Sequence, residues 1–170
     1  EEVCLDESGT PQKGAGQEII SLFGSYVDNL MLPQLKELAS DYGMTGVWID
    51  GDCWAVRRDC SPLAMAALHG PLTREEHNRR MREAYVAYLR HVTEEMRTYA
   101  PDFQVLSNWA YSSYQPERPE VDLPSLSGDF SLVNSVHSAR YEGRCLAAQG
   151  KPWDLMTWGF VGRQHPIGVA

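Results

Sequence analysis

The sequence lacks the short motifs that identify several large enzyme classes. No G-x-G-x-x-G turn and no Walker-type G-K-[ST] loop follows any apolar run, so the residues that cradle a dinucleotide or a nucleoside triphosphate are missing. There is no H-E-x-x-H, no C-x-x-C and no G-x-S-x-G, and the five histidines show no consistent spacing. We therefore expect neither a metal nor an organic cofactor, and no serine or cysteine nucleophile.

Basic residues are also scarce, with 15 Lys and Arg against 23 Asp and Glu and a net charge of −8. That balance argues against nucleic acid or an anionic membrane surface as the main partner, because both reward basic patches. Within residues 1–170, no apolar run is long enough to span a membrane, and none has the pattern of a signal peptide. The four cysteines are scattered along the chain. A Cys53–Cys60 disulfide is one alternative, but free buried thiols are the favoured interpretation.

A short apolar run that ends abruptly in polar residues lies near the middle of the chain, at Gly46-Val-Trp-Ile-Asp-Gly-Asp-Cys-Trp54. Such a run after a helical segment is typical of a buried parallel strand, with Val47 and Ile49 on one face and Trp48 and Asp50 on the other. A carboxylate at the carboxyl end of such a strand lies where α/β folds place their chemistry, which makes Asp50 the first candidate for a working residue. The competing interpretation is a simple Asp-Gly-Asp turn.

The remaining chain predicts an alternation of helices and strands behind a polar, glycine-rich loop at residues 1–24. A helix over 25–42 ends at Gly43, and a capping box at Thr73 and Glu76 opens a second, which Pro101 ends. The intervening residues 51–72 are predicted to be a long loop. The other predicted elements are strands at about 45–50, 103–109, 125–130 and 153–160, and a helix from 134 or 135 to 149.

This order predicts an α/β fold with a parallel sheet of about four strands and right-handed crossovers. The strands end in an acid, an amide or a ring, which is the pattern of a (β/α)₈ barrel of the TIM type. A complete barrel needs around 250 residues, so residues 1–170 can supply only about half of one. We expect a fragment of a single catalytic barrel; the alternative is a small doubly wound sheet without a catalytic role.

Paired carboxylates are the chemistry that this arrangement favours. Glycoside hydrolysis needs one carboxylate to attack or to activate water, and one carboxylic acid to protonate the leaving oxygen. Asp50 and Glu117, which lies in the loop after the next strand, can meet across a barrel mouth, and Glu120, Asp129 and Asp52 are competing partners. A cation held by Asp50, Asp52 and Cys53 is disfavoured, because mixed Asp and Cys ligands suit few ions.

Several of these segments resemble a known enzyme family. Ser25-Tyr-Val-Asp, then Pro33-Gln-Leu-Lys-Glu-Leu, then Val47-Trp-Ile-Asp-Gly51 are similar to the family 29 glycoside hydrolases, the α-L-fucosidases, over residues 20–55. The later segments around Ser107-Asn-Trp, Leu126-Ser-Gly-Asp-Phe and Lys151-Pro-Trp-Asp-Leu-Met-Thr-Trp-Gly-Phe look more like fucosidase-like barrel proteins related to family 151.

The resemblance implies a retaining exo-enzyme that removes terminal sugars from glycans. Asp50 would be the nucleophile and Glu117 the acid and base, with their carboxyl groups about 5–5.5 Å apart. Asp52, with the long loop after it, departs from the family pattern. The residues expected to contact the sugar are Trp48, Asp52, Trp54, Asn108, Trp109, Asp129 and Trp158.

Two other functions stay open at this point: a catalytically silent carbohydrate-binding barrel, and an exo-hydrolase of the β-galactosidase type. A carbohydrate substrate and the rest of a longer parent chain are the expected partners, and association into a homo-oligomer is left open. The resemblance favours a secreted or periplasmic location over a cytoplasmic one. We expect these 170 residues on their own to be inactive.

Overall fold

The computed structural model describes residues 2–14, 16–49, 57–107, 126–129 and 136–156. It is a mixed helix and strand structure with two small parallel sheets. The strands are β1 (Lys13–Gly14), β2 (Gln17–Glu18), β3 (Gly46–Ile49), β4 (Gln104–Ser107), β5 (Leu126–Asp129) and β6 (Trp153–Met156). The helices are α1 (Leu32–Asp41), α2 (Pro62–Ala67), α3 (Arg74–Tyr99) and α4 (Val136–Ala147).

The parallel strands come in two pairs, each of which is a β–α–β unit. In the first, β3 pairs with β4 from Gly46↔Gln104 to Ile49↔Ser107, and α2 and α3 lie between them in the chain. In the second, β5 pairs with β6 from Leu126↔Trp153 to Asp129↔Met156, with α4 between them. Strands β4 and β5 also lie near each other. Parallel pairing, as the helix–strand alternation predicts, is confirmed for these two pairs.

One apolar core joins both pairs to the helices. Leu89, Val92 and Met96 of α3 are fully buried and pack together with Val105 of β4 and Leu146 of α4. Further members of this cluster come from α1, β3 and β6: Leu32, Leu35, Val47, Ile49 and Leu155. Helices α1, α3 and α4 therefore share one apolar core with strands of both parallel pairs.

Helix α1 confirms the predicted helix before β3, with one local difference. A π-helical turn, Val27–Met31, leads directly into α1 and Pro33 occupies its first turn. Proline is tolerated there because the first turn of a helix has no use for its missing N–H. Gly43 follows the helix with φ +65, the left-handed conformation that a glycine stop requires.

Helix α3 begins as its capping residues predict. The Thr73 hydroxyl accepts a hydrogen bond from the Glu76 N–H at 3.2 Å. The Glu76 carboxylate turns instead to Arg79 and Arg80 on the exposed face. The sequence places many Arg and Glu residues between Arg74 and Arg82, a pattern typical of a solvated helix face, and these ion pairs agree with it. The same pattern predicts a surface position for His77, but His77 is buried, with 2% of its surface exposed.

Two segments predicted to be loop have regular structure. Residues 2–20 form a small antiparallel hairpin: β1 pairs with β2, and isolated bridges join Val3 to Ile20 and Leu5 to Pro11. Within residues 51–72, Ser61 caps the short helix α2 by accepting from the Ala64 N–H at 3.2 Å. Within the described ranges, none of the helices combines the length and the apolar character that a membrane crossing requires.

Candidate functional site

Two of the nine sequence-predicted site residues fall within the described parts of the chain. Trp48 is described with its side chain, and Asp129 is described as the last residue of β5. The other seven lie outside the described residues: Asp50, Glu117, Asp52, Trp54, Asn108, Trp109 and Trp158. The proposed pairing of Asp50 with Glu117 therefore stays a prediction.

The carboxyl ends of the strands define the edge where those residues would meet. Ile49 pairs with Ser107 at the end of the first unit, and Asp129 pairs with Met156 at the end of the second. Asp50 and Asn108 are the next residues in the chain after Ile49 and Ser107. In each unit, therefore, the two paired strands end at the same level. Such aligned strand ends are how α/β folds gather side chains from different strands into one site.

Trp48 lies on the face of β3 that points away from the helices. Its neighbours Val47 and Ile49 pack against the helical core, as the predicted alternation of β3 requires. Trp48 lines an open hollow of about 490 Å³ together with Gly46, Val47, Leu106, Asp154 and Leu155. The hollow offers an apolar wall, an indole ring and one carboxylate.

Asp154 is a residue that the sequence analysis missed. It is an exposed acid in β6, one position before Leu155, which packs in the core. The period-2 alternation of the strand places it on the same side as Trp48. The sequence analysis weighed only acids at strand ends and in loops, and Asp154 lies within a strand. The packing of Leu155 against the core is what orients Asp154.

A second acid, Asp59, is fully buried and serves as an anchor between distant segments. Its Oδ1 accepts from the N–H groups of Ser61 at 2.8 Å and Leu5 at 3.2 Å, and its Oδ2 accepts from the Ser21 hydroxyl at 2.6 Å. Burial of a carboxyl group is costly unless such donors satisfy it. Asp59 thus holds the N-terminal hairpin against the segment that leads into α2.

The environment of Asp59 also affects a neighbouring thiol. Burial, and then the charge of Asp59, raise the pKa of Cys4 to about 12. Cys4 is free, as are Cys60 and Cys145, and its thiol donates to the Ile20 carbonyl at 3.4 Å. A thiol with so high a pKa is inert at neutral pH, because the thiolate is the reactive form. Cys53 lies outside the described residues.

The second described hollow is an open pocket of about 580 Å³ near the start of α3. Its walls come from the N-terminal turn, from the segment before α2 and from the first turns of α3. Three arginines line it: Arg57, Arg58 and Arg74. We call it the arginine pocket. Arg57 and Arg58 lie within residues 51–72, which the sequence predicts only as a long loop.

Among the described residues, no group of three or more His, Cys, Asp and Glu side chains is arranged to hold a metal ion. The carboxyl groups there whose pKa is clearly shifted are all lowered. The Ser25 hydroxyl lowers the pKa of Glu2, the Ser8 hydroxyl lowers that of Asp6, and Arg79, followed by Arg80, lowers that of Glu76 to about 2. Those three acids are therefore suited to staying ionised, and a general acid needs the opposite shift.

No protein-family model matches the chain, and no curated protein matches it. Its chemistry is therefore inferred from its residues and their geometry.

Proposed function

We propose that the chain belongs to the catalytic barrel of a retaining glycoside hydrolase similar to the α-L-fucosidases, which removes terminal sugars from glycans. The observation that carries the proposal is the parallel pairing of β3 with β4, in register up to Ile49 and Ser107. Asp50 follows directly after that last pair, at the carboxyl edge where barrel enzymes hold their catalytic groups.

The two β–α–β units support a barrel of the (β/α)₈ type. Each unit pairs its strands in parallel, and both contribute to one core under a layer of helices. Residues of β3, β4 and β6, among them Trp48, Leu106 and Asp154, line an open hollow. Parallel sheets are normally covered on both faces, and in a barrel the inner face is filled by side chains of the other strands.

The proposed mechanism assigns one role to each carboxyl group. The Asp50 carboxylate attacks the anomeric carbon as the bond to the departing oxygen breaks, which forms a covalent glycosyl-enzyme. Glu117 protonates that oxygen and, in the second step, takes a proton from the water that releases the sugar. Asp129 and Asn108 are proposed to hydrogen-bond the sugar hydroxyls, and Trp48 to pack on its apolar face.

The lowered pKa values of three described acids argue against each of them as the general acid. Glu2, Asp6 and Glu76 are all held ionised by hydrogen-bond donors. A glycosidase acid must stay protonated near neutral pH, which burial or a neighbouring carboxylate achieves. Glu117, in the loop after the next strand along the chain, is our candidate.

The experiment compares the complete wild-type protein with Asp50→Asn and a matched control, Asp102→Asn. Asp102 is exposed in the turn before β4, at the opposite end of the strands, so its replacement makes the same chemical change away from the proposed site. Each protein is assayed on aryl α- and β-glycosides, including α-L-fucosides. We expect the wild type and Asp102→Asn to release the aryl group at equal rates. Asp50→Asn should lose at least about a thousandfold, as expected for loss of a nucleophile.

Equal activity of Asp50→Asn and the wild type would refute the assignment of Asp50. Cleavage of a β-galactoside instead of an α-L-fucoside would keep the hydrolase and correct the sugar. A wild type without activity on every glycoside, but with measurable binding of a sugar, would favour a carbohydrate-binding barrel over an enzyme.

A further inference from the structure

The arginine pocket lies apart from the strand edge that carries the proposed catalysis, and it is built from other segments. Arg57 and Arg58 precede α2, and Arg74 is the first residue of α3. Arginine side chains that converge on one hollow repel each other unless anions compensate them. In a chain with a net charge of −8, such a convergence is a local reversal of the overall sign.

The backbone and neighbouring side chains hold the first two arginines in place. Arg57 Nη1 donates to the Lys13 carbonyl of the hairpin at 3.0 Å. Arg58 pairs through Nη1 with the carboxylate of Glu7, and its own carbonyl accepts from the Gln12 side chain. The Arg57 side chain and the Arg58 backbone are therefore positioned before any ligand arrives, which lowers the cost of binding.

The charge of Arg58 is only partly compensated by the described residues. Among them, its buried Nε has no hydrogen-bond partner, and the ion pair of Arg58 is with Glu7, whose side chain is 71% exposed. Exposed ion pairs contribute little, because water competes for both groups. An oxyanion entering the pocket can therefore replace the Glu7 carboxylate at Arg58 with little loss.

The third arginine completes the pocket from helix α3. Arg74 is exposed, and within the part of the chain that the structure describes it makes no hydrogen bond or ion pair. Asn78 follows one helical turn later on the same wall, with its amide half-buried. The positive end of the α3 dipole lies beside both side chains and adds to the attraction for an anion.

The acids at the rim are in part already engaged. The Asp6 Oδ1 accepts from the Ser8 N–H at 2.8 Å, the Ser8 hydroxyl at 2.6 Å and the Thr10 N–H at 2.9 Å, and so stabilises its own turn. The second oxygen of Asp6 and the side-chain oxygen of Gln12, whose amide nitrogen already donates to the Leu5 and Arg58 carbonyls, leave acceptors for hydroxyl groups. The amide of Asn78 can both donate and accept. The pocket thus combines guanidinium groups for an anion with neutral polar groups for hydroxyls.

We propose that the arginine pocket binds a hydroxyl-rich ligand that carries an oxyanion, namely an acidic sugar with a carboxylate or sulfate group. The volume of about 580 Å³ falls in the range of small-ligand sites. Arginine is the side chain best matched to planar oxyanions, because its donors form a fork. Glu7 moves away from Arg58 when the ligand binds. The proposal stands on the pocket alone and holds whether or not the strand edge hydrolyses glycosides.

The test is direct calorimetric binding to the complete protein, with no turnover involved. The probes are glucuronate, glucose 6-sulfate, neutral glucose and inorganic sulfate, so that ring and anion are varied separately. The variant is Arg74→Gln, whose exposed position makes loss of folding unexpected; Arg140→Gln, an equally exposed arginine on α4, is the matched control. Thermal melting of each variant checks that the fold is intact.

We expect glucuronate or glucose 6-sulfate to bind more tightly than glucose, and more weakly as salt is raised. Arg74→Gln should weaken that binding about five- to tenfold, as expected for the loss of one charge-assisted contact at an exposed site. Arg140→Gln should bind as the wild type does. Equal affinity for glucose and glucuronate, no binding of either acidic sugar, or an unchanged affinity in Arg74→Gln would each overturn the proposal. Tight binding of inorganic sulfate alone would overturn the sugar as ligand.

Discussion

Replacing Asp59 tests how the N-terminal hairpin is attached to the rest of the molecule. Asp59→Ala removes the acceptor for three donors, the N–H groups of Leu5 and Ser61 and the hydroxyl of Ser21. A buried donor left without a partner costs about 1–3 kcal/mol. Leu5 and Ser21 belong to a segment that can move outward and admit water. We therefore expect the lower end for each donor, or about 3–4 kcal/mol in the free energy of unfolding.

Asp59→Asn is the matched comparison, because it keeps the shape and one carbonyl oxygen. That oxygen can still accept from Leu5 and Ser61, while the amide nitrogen donates to the Ser21 oxygen, which has a second lone pair. The expected cost is about 1 kcal/mol, from the rearranged hydrogen bond to Ser21. Urea denaturation of the complete protein measures both values.

Amide hydrogen exchange shows where the loss falls. In Asp59→Ala, the amides of Cys4 and Cys60, which donate to Ile19 and Leu5, should exchange faster by local opening. The amides in the middle of α3 should be affected only through global unfolding. Equal stabilities of Asp59→Ala and Asp59→Asn, or a loss below about 1 kcal/mol for Asp59→Ala, would refute the anchoring role.

Three further predictions follow from single groups. Cys4 should resist a thiol reagent near pH 8 in the folded protein. The pKa of Cys4 is raised to about 12 in the folded protein, from an ordinary value of 9.0. Its contribution to stability is therefore complete below pH 9.0 and is lost as pH rises toward 12. Denaturation at a series of high pH values should show this loss in the wild type and not in Cys4→Ala. Glu76, whose pKa is lowered to about 2, should contribute above its ordinary pKa of 4.5 and lose that contribution as pH falls toward 2, which an NMR titration of its carboxyl group can contradict. Gly46→Ala would bring a Cβ within 2.8 Å of the Gln104 carbonyl, so we expect a loss of about 1–3 kcal/mol in unfolding free energy, measured by urea denaturation. A stability equal to that of the wild type would contradict this close packing of β3 on β4.

The parallel strands and the long helix were predictable because their signals are local. β3 is an apolar run that ends in acids, and α3 begins at a threonine cap and carries an apolar stripe through Met81, Leu89 and Met96. The strand signal lies in a few adjacent residues and the helix signal in a few adjacent helical turns. Neither requires knowledge of contacts between distant parts of the chain.

The elements that were missed depend on shorter or more distant signals. Helix α2 has only six residues, too few for a visible period, although Ser61 followed by a proline at the first helical position is a start signal. The hairpin at residues 2–20 is secured by Asp59, about fifty positions away in the chain. His77 is buried by tertiary packing that its charged neighbours do not reveal.

For the candidate site the comparison extends to the strand positions of Trp48 and Asp129, because the other seven predicted residues lie outside the described residues. Alternation along β3 correctly oriented Trp48 away from the helices, and Asp129 is the last residue of β5, as its sequence predicts. Asp154 and the arginine pocket were missed, because the first needs the burial of Leu155 and the second joins three segments far apart in the chain. Long-range assembly of this kind leaves no periodic pattern in a single sequence.

The central claim is that Asp50 is the nucleophile of a retaining hydrolase, and covalent trapping tests it most directly. The complete protein is incubated with 2-deoxy-2-fluoro-L-fucosyl fluoride, in which the fluorine slows the second step so that a glycosyl-enzyme accumulates. We predict an adduct of one sugar per chain, with peptide mass spectrometry locating it at Asp50 and Asp50→Asn remaining unlabelled. An adduct on another carboxylate, or full hydrolysis of an α-L-fucoside by Asp50→Asn, would contradict the account.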